Sequence, residues 1–387
     1  MAIVHDTRAL PTDSTAETSR MLKPLLALTL LVLPPSSPAH YPQSGAPTPS
    51  PALLVLEKAQ NTLVIVDPAS LTIVARIAAG EDPHEVAVSD DGRIAWVTNY
   101  RGRGGGPGGN TITPIDLVAQ KPLPVIQLGA LRAPHGVATG GGKLFVTAEQ
   151  SKVVARIDPA TQTVDWVVGT GEDRTHMVAV SKDGKIVLTT NVNSASVSII
   201  EQRALAMPAG GPPGAPPNSA PTPPRAGAIG GVAGAAAPTD WHVTNVAVGR
   251  GAEGMDLSPD GRELWVANAQ ESTVSIIDVA THRVVQTIPS TRAANRLKFT
   301  LDGRYVFVSD LGGNDILVID AKSRTPHTRI ALGTNSEGIV MSADRTRVFT
   351  TLNARDAVAV IDLRTMRVIG EVKTGRGPDG LAWAVRK

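Results

Sequence analysis

One segment of this chain recurs at a fixed spacing, and that spacing restricts the fold more than any other property. Glu253–Gly261 (EGMDLSPDG), Asn295–Gly303 (NRLKFTLDG), Glu337–Asp344 (EGIVMSAD) and Asp379–Trp383 (DGLAW) begin 42 residues apart each time. Earlier copies begin at His84, His135 and His176. The step from His135 to His176 is 41 residues; the steps on either side are lengthened by a loop at 101–110 and by residues 204–240. A period of this size marks supersecondary units that bury their apolar faces only by stacking on one another.

Each unit reads as four short strands. Strand A is the recurring segment, and it usually ends in a tight Asp-Gly turn: Asp91-Gly92, Asp183-Gly184, Asp260-Gly261 and Asp302-Gly303. Such pairs supply the positive-φ positions that hairpins need. Strand B follows at Ile94–Thr98, Leu144–Thr147, Leu264–Ala267, Val306–Ser309 and Val348–Thr351. Strand C alternates and closes on an aspartate at Asp278, Asp320 and Asp362, which caps a turn, and strand D is a Val/Ile run such as Arg283–Ile288. Apolar alternation in runs this short predicts sheet. Seven A strands occur, while the stretch 53–79 supplies only B, C and D and the stretch 378–386 supplies only A. The two ends therefore complete one unit together. The predicted fold is all-β: a seven-bladed β-propeller of four-stranded antiparallel blades, closed by pairing N-terminal strands with the C-terminal strand, which leaves few open sheet edges.

Trp96–Tyr100 (WVTNY), Trp265–Asn268 (WVAN) and the Val-x-Ile-Asp strands after them resemble repeats of the YVTN/YncE-like β-propeller family. The resemblance covers residues 51–387 apart from the 204–240 insertion. It implies the fold and leaves the function open, because propellers host hydrolases, lyases, binding proteins and scaffolds. For YncE-like proteins it implies single-stranded DNA as one ligand class. Stacking of bases needs exposed aromatics, and Tyr100 is the evident candidate, so this alternative ranks last.

Outside the repeats the chain divides into an N-terminal extension with a signal peptide (1–39), a Pro/Ser linker (40–50) and the propeller (51–387). Met21-Leu22-Lys23 forms a basic start, Leu25–Leu33 an apolar run, and Ser37-Pro38-Ala39 a small-residue cleavage site. This pattern predicts export to the periplasm or medium, with translation starting at Met1 or Met21. The apolar run is too short to span a bilayer, and no later stretch would do so in the mature chain. The Ala/Gly/Pro-rich residues 204–240 are expected to be disordered. Cysteine is absent, which excludes disulfides, thiolate metal sites, covalent c-type haem and a lipoprotein anchor. The formal charge of +2 demands no polyanionic partner.

The first residue of strand A stands at the mouth of the central channel. Around the ring this position reads His84, His135, His176, Glu253, Asn295, Glu337 and Asp379, all polar. Three of the eight histidines fall here, on consecutive blades. Neutral imidazoles beside carboxylates suit one divalent transition metal, Zn, Cu, Mn or Fe, with His84, His135, His176, Glu253, Glu337 and Asp379 as candidate ligands. Three histidines with an open position would let the metal activate water, and Glu253 is the candidate general base. The placement resembles that of streptogramin lyases and YVTN-type lactonases. It also resembles the copper-binding propeller of nitrous oxide reductase, against which the missing cysteine-bearing domain argues. A hydrated structural ring or a metal-free ligand site accounts for the same residues.

Arginines surround this ring: Arg132, Arg250, Arg292 and Arg376 stand three residues before it, and Arg174 two before His176. With Asn295 they are the candidate ligand-binding residues, since guanidinium groups pair with carboxylate or phosphate. Surface arginines that satisfy loop carbonyls or pair with nearby acids explain them equally well. The loop Arg101–Asn110 joins two strands, so it is a flexible hairpin or flap rather than a phosphate cradle. Trp96, Trp265, Phe145, Phe307 and Phe349 share one strand-B position and read as core between blades. The expected function is an exported propeller binding an anionic small molecule or a protein partner at its channel mouth, with or without a metal. The alternative is a metal-dependent lyase or lactonase-like hydrolase of an anionic substrate.

Overall fold

The computed structural model describes residues 45–101, 108–204 and 239–387, and they form seven antiparallel sheets in a ring. Blade 1 comprises strands Pro83–Val88, Ile94–Asn99 and Thr111–Asp116. Its outer strand is broken into Lys121–Pro122 and Ile126–Gln127, because proline has no N–H to give the ladder. Blade 2 runs from Pro134 to Gly169, blade 3 from Thr175 to Ala247, blade 4 from Ala252 to Pro289 and blade 5 from Ala294 to Ala331. Blade 6 runs from Ile339 to Lys373. In blade 7 the C-terminal strand Pro378–Ala384 pairs with Ala52–Glu57, with Thr62–Asp67 and Thr72–Ala78 outside it. The predicted closure of the ring by its own two ends is thus the observed one.

The strand boundaries follow the repeat with small differences. In blade 6 the inner strand is only Ile339–Met341, so Glu337 precedes it, its N–H donating to Thr351 O. In blade 3 strands C and D extend to Ala204 and Thr239, which pair with each other. The remainder of the predicted disordered insertion lies outside the described residues, as do the signal peptide, residues 40–44 of the linker and residues 102–107 of the Arg101–Asn110 loop. The linker residues that are described hold to the ring: Gln120 donates to Ala46 O at 2.9 Å and Arg386 to Thr48 O at 2.6 Å.

Seven apolar clusters fill the seven gaps between blades. Each blade sends one large strand-B side chain toward its successor: Trp96, Phe145, Leu188, Trp265, Phe307, Phe349 and Leu54. This matches the inter-blade core read from the sequence. The turns repeat as faithfully. At Ser89-Asp90-Asp91-Gly92, Ser89 Oγ donates to Asp91 Oδ1 and accepts from the N–H of Ile94, while Gly92 takes φ +72°. Ser181, Ser258, Thr300 and Ser342 do the same with their own aspartates. The aspartates closing strand C cap the C–D turns, as Asp278 does for Thr281.

Candidate functional site

A β-bulge carries the channel-mouth residue in six of the blades. In blade 1 Pro83 pairs with Asn99 and Val86 with Val97, so His84 and Glu85 together face Thr98. The same irregularity places His135 and Gly136 opposite Thr147, His176 and Met177 opposite Thr190, and Glu253 and Gly254 opposite Ala267. It recurs at Asn295-Arg296 and Asp379-Gly380. A bulge bends its strand and re-aims the extra side chain, here toward the channel. Hydroxyls then fix three of these residues from the preceding blade. Thr98 donates to His135 O at 2.7 Å, Thr147 to His176 O, and Thr190 to Glu253 O at 2.7 Å.

The three histidines stack in sequence. Ring centroids lie 4.9 Å apart for His84 and His135, and 3.8 Å apart for His135 and His176. His135 and His176 are buried. His176 Nδ1 bonds to Glu149 Oε1, and its Nε2 lies 2.8 Å from Glu253 Oε2. Burial alone would depress His176, but the two carboxylates outweigh it and hold the imidazole above its ordinary value. Burial, reinforced by the charges of His176 and His84, keeps His135 well below its usual range and therefore neutral. Its Nδ1 is buried and has no hydrogen-bond partner among the described residues. His135, Glu149 and His176 each offer a ligand atom, all within 4.8 Å of one another.

Glu149 opens the short 3-10 turn that follows strand B of blade 2. Burial pushes its carboxyl up, but the bond from His176 and that from Tyr100 Oη at 2.6 Å overcome this and leave it below the ordinary value. Tyr100 packs its ring 4.5 Å from His84 and 5.5 Å from His135, and burial with the Glu149 bond raises its phenol. Tyr100 is committed to this cluster, which weakens its case as a stacking platform for bases. Glu253, despite burial, is held down at about 2 by His176 first and then by Arg296 and Arg174.

The other ring residues assemble elsewhere on the mouth. Lys58 Nζ lies 2.9 Å from Asp379 and 3.7 Å from Glu337, and Asn353 donates to Glu337 at 3.0 Å. His84 Nδ1 faces Asp82 O at 2.9 Å. Asn295 is buried, and its neighbour Arg296 reaches across the channel to Glu85 of blade 1 at 2.9 Å and to Glu253 at 3.7 Å. Of the five flanking arginines only Arg174 approaches the cluster, 3.6 Å from Glu149 and 4.0 Å from Glu253. Arg132 turns to the carbonyls of Gly129 and Leu131, Arg250 pairs with Glu271 at 3.1 Å, and Arg292 and Arg376 are exposed.

Sequence reasoning missed Glu149, Lys58, Asn353 and Arg296. A signal for the first three exists. The residue just past strand B reads Lys58, Tyr100, Glu149, Val192, Ala269, Leu311 and Asn353 around the ring. It is polar or amphipathic on blades 6, 7, 1 and 2, and it forms a second tier beneath the ring residues on that arc.

Comparison with known proteins agrees with this fold. The YNCE-like β-propeller family model matches residues 228–384. The match covers the outer strand of blade 3, blades 4 to 6 and the inner strand of blade 7, and the remaining strands complete the seven-bladed ring. No curated protein matches the chain. Among solved structures, a functionally unknown protein from Desulfotomaculum acetoxidans is similar at TM-score 0.66 and 13% identity, over 87% of this chain and 100% of that one. A candidate 6-phosphogluconolactonase from Bacteroides uniformis follows at TM-score 0.64 and 12% identity, over 86% and 99%. Hydrazine synthase of Kuenenia stuttgartiensis is similar at TM-score 0.58 and 17% identity, over 79% and 92%. At these identities the likeness extends to the fold alone. Among the described residues no helix is long and apolar enough to cross a membrane.

Proposed function

We propose that this chain is an exported binding propeller. It holds one divalent transition metal between His135, Glu149 and His176 and presents it at the channel mouth to an anionic small molecule or protein partner. The observation that carries the reading is the buried, unpartnered Nδ1 of His135 within a cluster of three ligand-type side chains. Buried polar atoms are nearly always satisfied, so an orphan of this kind asks for a partner. Two imidazoles and a carboxylate suit Zn, Cu, Mn or Fe, and three protein ligands leave positions open for an exogenous donor. His135 is held in the neutral form that a metal requires, whereas the carboxylates that raise His176 oppose the loss of a proton from it on metal binding. Export rests on the basic start and apolar run at 21–33.

The hydrolytic alternative needs a general base, and Glu253 is the carboxylate beside the cluster. A group held down at about 2 is a weak base near neutrality, where the best catalytic pKa lies close to the working pH. Binding is therefore favoured over turnover.

Elemental analysis of the protein purified from metal-replete cells, followed by calorimetric titration of the stripped protein with Zn²⁺ and Cu²⁺, tests this. About one metal per chain is expected, lost in His135→Ala and His176→Ala and weakened in Glu149→Gln, with the Arg250→Ala variant unchanged. A protein that stays metal-free and shows no saturable uptake of either ion overturns the reading.

A further inference from the structure

On the face opposite the channel mouth, one repeat position bridges successive gaps between blades, and one gap departs from the pattern. His282, Arg324 and Met366 stand 42 residues apart, each with positive φ in the turn between strands C and D. From blade 4, His282 Nε2 lies 3.4 Å from Glu201 of blade 3. From blade 5, Arg324 reaches Glu263 of blade 4 at 2.5 Å and Gln286 at 2.8 Å. Between blades 5 and 6 both partners change character: Met366 stands where the basic residue was, and Tyr305 stands 42 residues after Glu263. A thioether and a phenol ring form no such polar bridge. A cavity of about 480 Å³ occupies this gap instead, a size within the roughly 300–1,000 Å³ usual for small-molecule sites.

The lining decides the occupant. Its apolar part comes from Leu301, Tyr305, Met341, Leu363 and Met366, and Leu301 is 48% exposed. Its charged part is three guanidiniums, of Arg304, Arg345 and Arg364, against two carboxylates, of Asp302 and Asp362. One positive charge is therefore in excess. Asp302 accepts from Thr300 Oγ1 at 2.6 Å and from the N–H of Arg304 at 3.0 Å, and Asp362 accepts from the N–H and hydroxyl of Thr365. Asp320, the other carboxylate that Arg304 influences, lies outside the lining and caps the turn at Ser323. Arg304 is held at the cavity wall by the ring of Tyr305, 4.9 Å away. We propose that this cavity binds an organic monoanion with a short apolar body, a medium-chain carboxylate, with the body on the Leu301, Leu363 and Met366 surface and the carboxylate at the arginines. Guanidinium groups match a carboxylate in both charge and geometry. The site shares no residue with the His135, Glu149 and His176 cluster, so it stands or falls apart from the metal reading.

The test is calorimetric titration of the full chain with octanoate, octylammonium and acetate, below micelle-forming concentrations and with EDTA present so that no metal-bound carboxylate is read. Octanoate is expected to bind saturably, at about one per chain, while octylammonium and acetate do not at the same concentrations. Tyr305→Glu combined with Met366→Arg copies the Glu263–Arg324 bridge of the neighbouring gap. It should abolish octanoate binding and melt within a few degrees of the parent. Arg345 and Arg364 are exposed, so Arg345→Gln combined with Arg364→Gln leaves the ring intact and should weaken octanoate about tenfold or more. If the bridged variant melts far lower, this glutamine pair decides alone. Absence of saturable octanoate binding overturns the proposal. So does octylammonium or acetate binding as tightly as octanoate, because the charge or the apolar surface would then play no part. A folded bridged variant that binds as the parent does, or a glutamine pair with unchanged affinity, overturns it as well.

Discussion

At the residue scale the channel mouth is a set of buried charges that fix one another's protonation. Lys58, Asp379 and Glu337 are the clearest case outside the histidine cluster. Burial would lower Lys58, but Asp379 and Glu337 outweigh it and keep the ammonium charged. Burial would raise Asp379, but Lys58 and then Arg296 hold it down. Glu337 is left with the opposite balance: burial raises it, Asp379 raises it further, and Lys58 at 3.7 Å does not compensate. A carboxyl raised in the folded state contributes its stability below its unfolded value, near 4.5, and loses it as the pH rises through the folded value. Glu337→Gln mimics the protonated form and keeps an acceptor for Asn353. The melting temperature of the variant relative to the parent should therefore climb as pH is raised from about 4 to about 8. Thermal unfolding across that range checks it, and a difference that is flat or falls with pH contradicts the charge balance.

At the element scale the decisive device is the bulge at the head of strand A, and it explains a pattern of glycines. A Cβ on Gly136 would stand 2.6 Å from His176 O, one on Gly254 2.6 Å from Asn295 O, one on Gly338 2.2 Å from Asp379 O, and one on Gly380 2.4 Å from His84 O. Each of these glycines makes room for the carbonyl of the next blade's mouth residue. Gly136→Ala should cost about 1–3 kcal/mol, the usual penalty of overpacking, and should also weaken metal uptake by moving His176. Gly169→Ala, where a Cβ meets nothing within 4 Å, should leave both unchanged. Denaturant unfolding with a metal titration of each variant measures the contrast.

The same elements show what was legible beforehand. Strand A could be stacked against itself in the sequence because its turn and apolar alternation are local and repeat in every blade, and this led directly to His84, His135 and His176. Glu149 and Lys58 were not legible in that way. They sit in short B–C turns whose residue type changes from blade to blade, and their roles depend on contacts with residues distant in the chain, such as Lys58 with Asp379. Arg296 occupies the second bulge position, where three other blades have glycine, and its pairing with Glu85 joins blades on opposite sides of the channel. The flanking arginines show the converse error: they share a repeat position, but an exposed loop does not fix where a long side chain points, and only Arg174 turns inward.

At the scale of the whole molecule, every blade has two neighbours only because blade 7 is assembled from both ends of the chain. The strand Ala52–Glu57 is entirely buried, pairing with Pro378–Ala384 on one side and Thr62–Asp67 on the other. Glu57 locks this junction. Its carboxylate takes two bonds from Arg76 at 2.8 and 2.9 Å, one from Thr62 at 2.6 Å and one from the N–H of Gly375. Removing residues 378–387 would expose Leu54 and Val55, open a long apolar sheet edge, and strip the clusters between blades 6, 7 and 1 of Leu381 and Ala384. The truncated chain should lose its cooperative unfolding transition and aggregate. The dependence is on pairing rather than on chain order, and a circular permutant separates the two. Arg386 N lies 2.9 Å from Ser50 Oγ, so a short Gly/Ser linker from Lys387 to Gly45, with new ends between Gly377 and Pro378, asks for no rearrangement of blade 7. Compared with a chain starting at Gly45, the permutant should unfold in a single transition within a few degrees of the parent. If it folds no better than the truncation, closure depends on the order in which the blades form, and the ring is not the set of equivalent nearest-neighbour interfaces that its seven clusters describe.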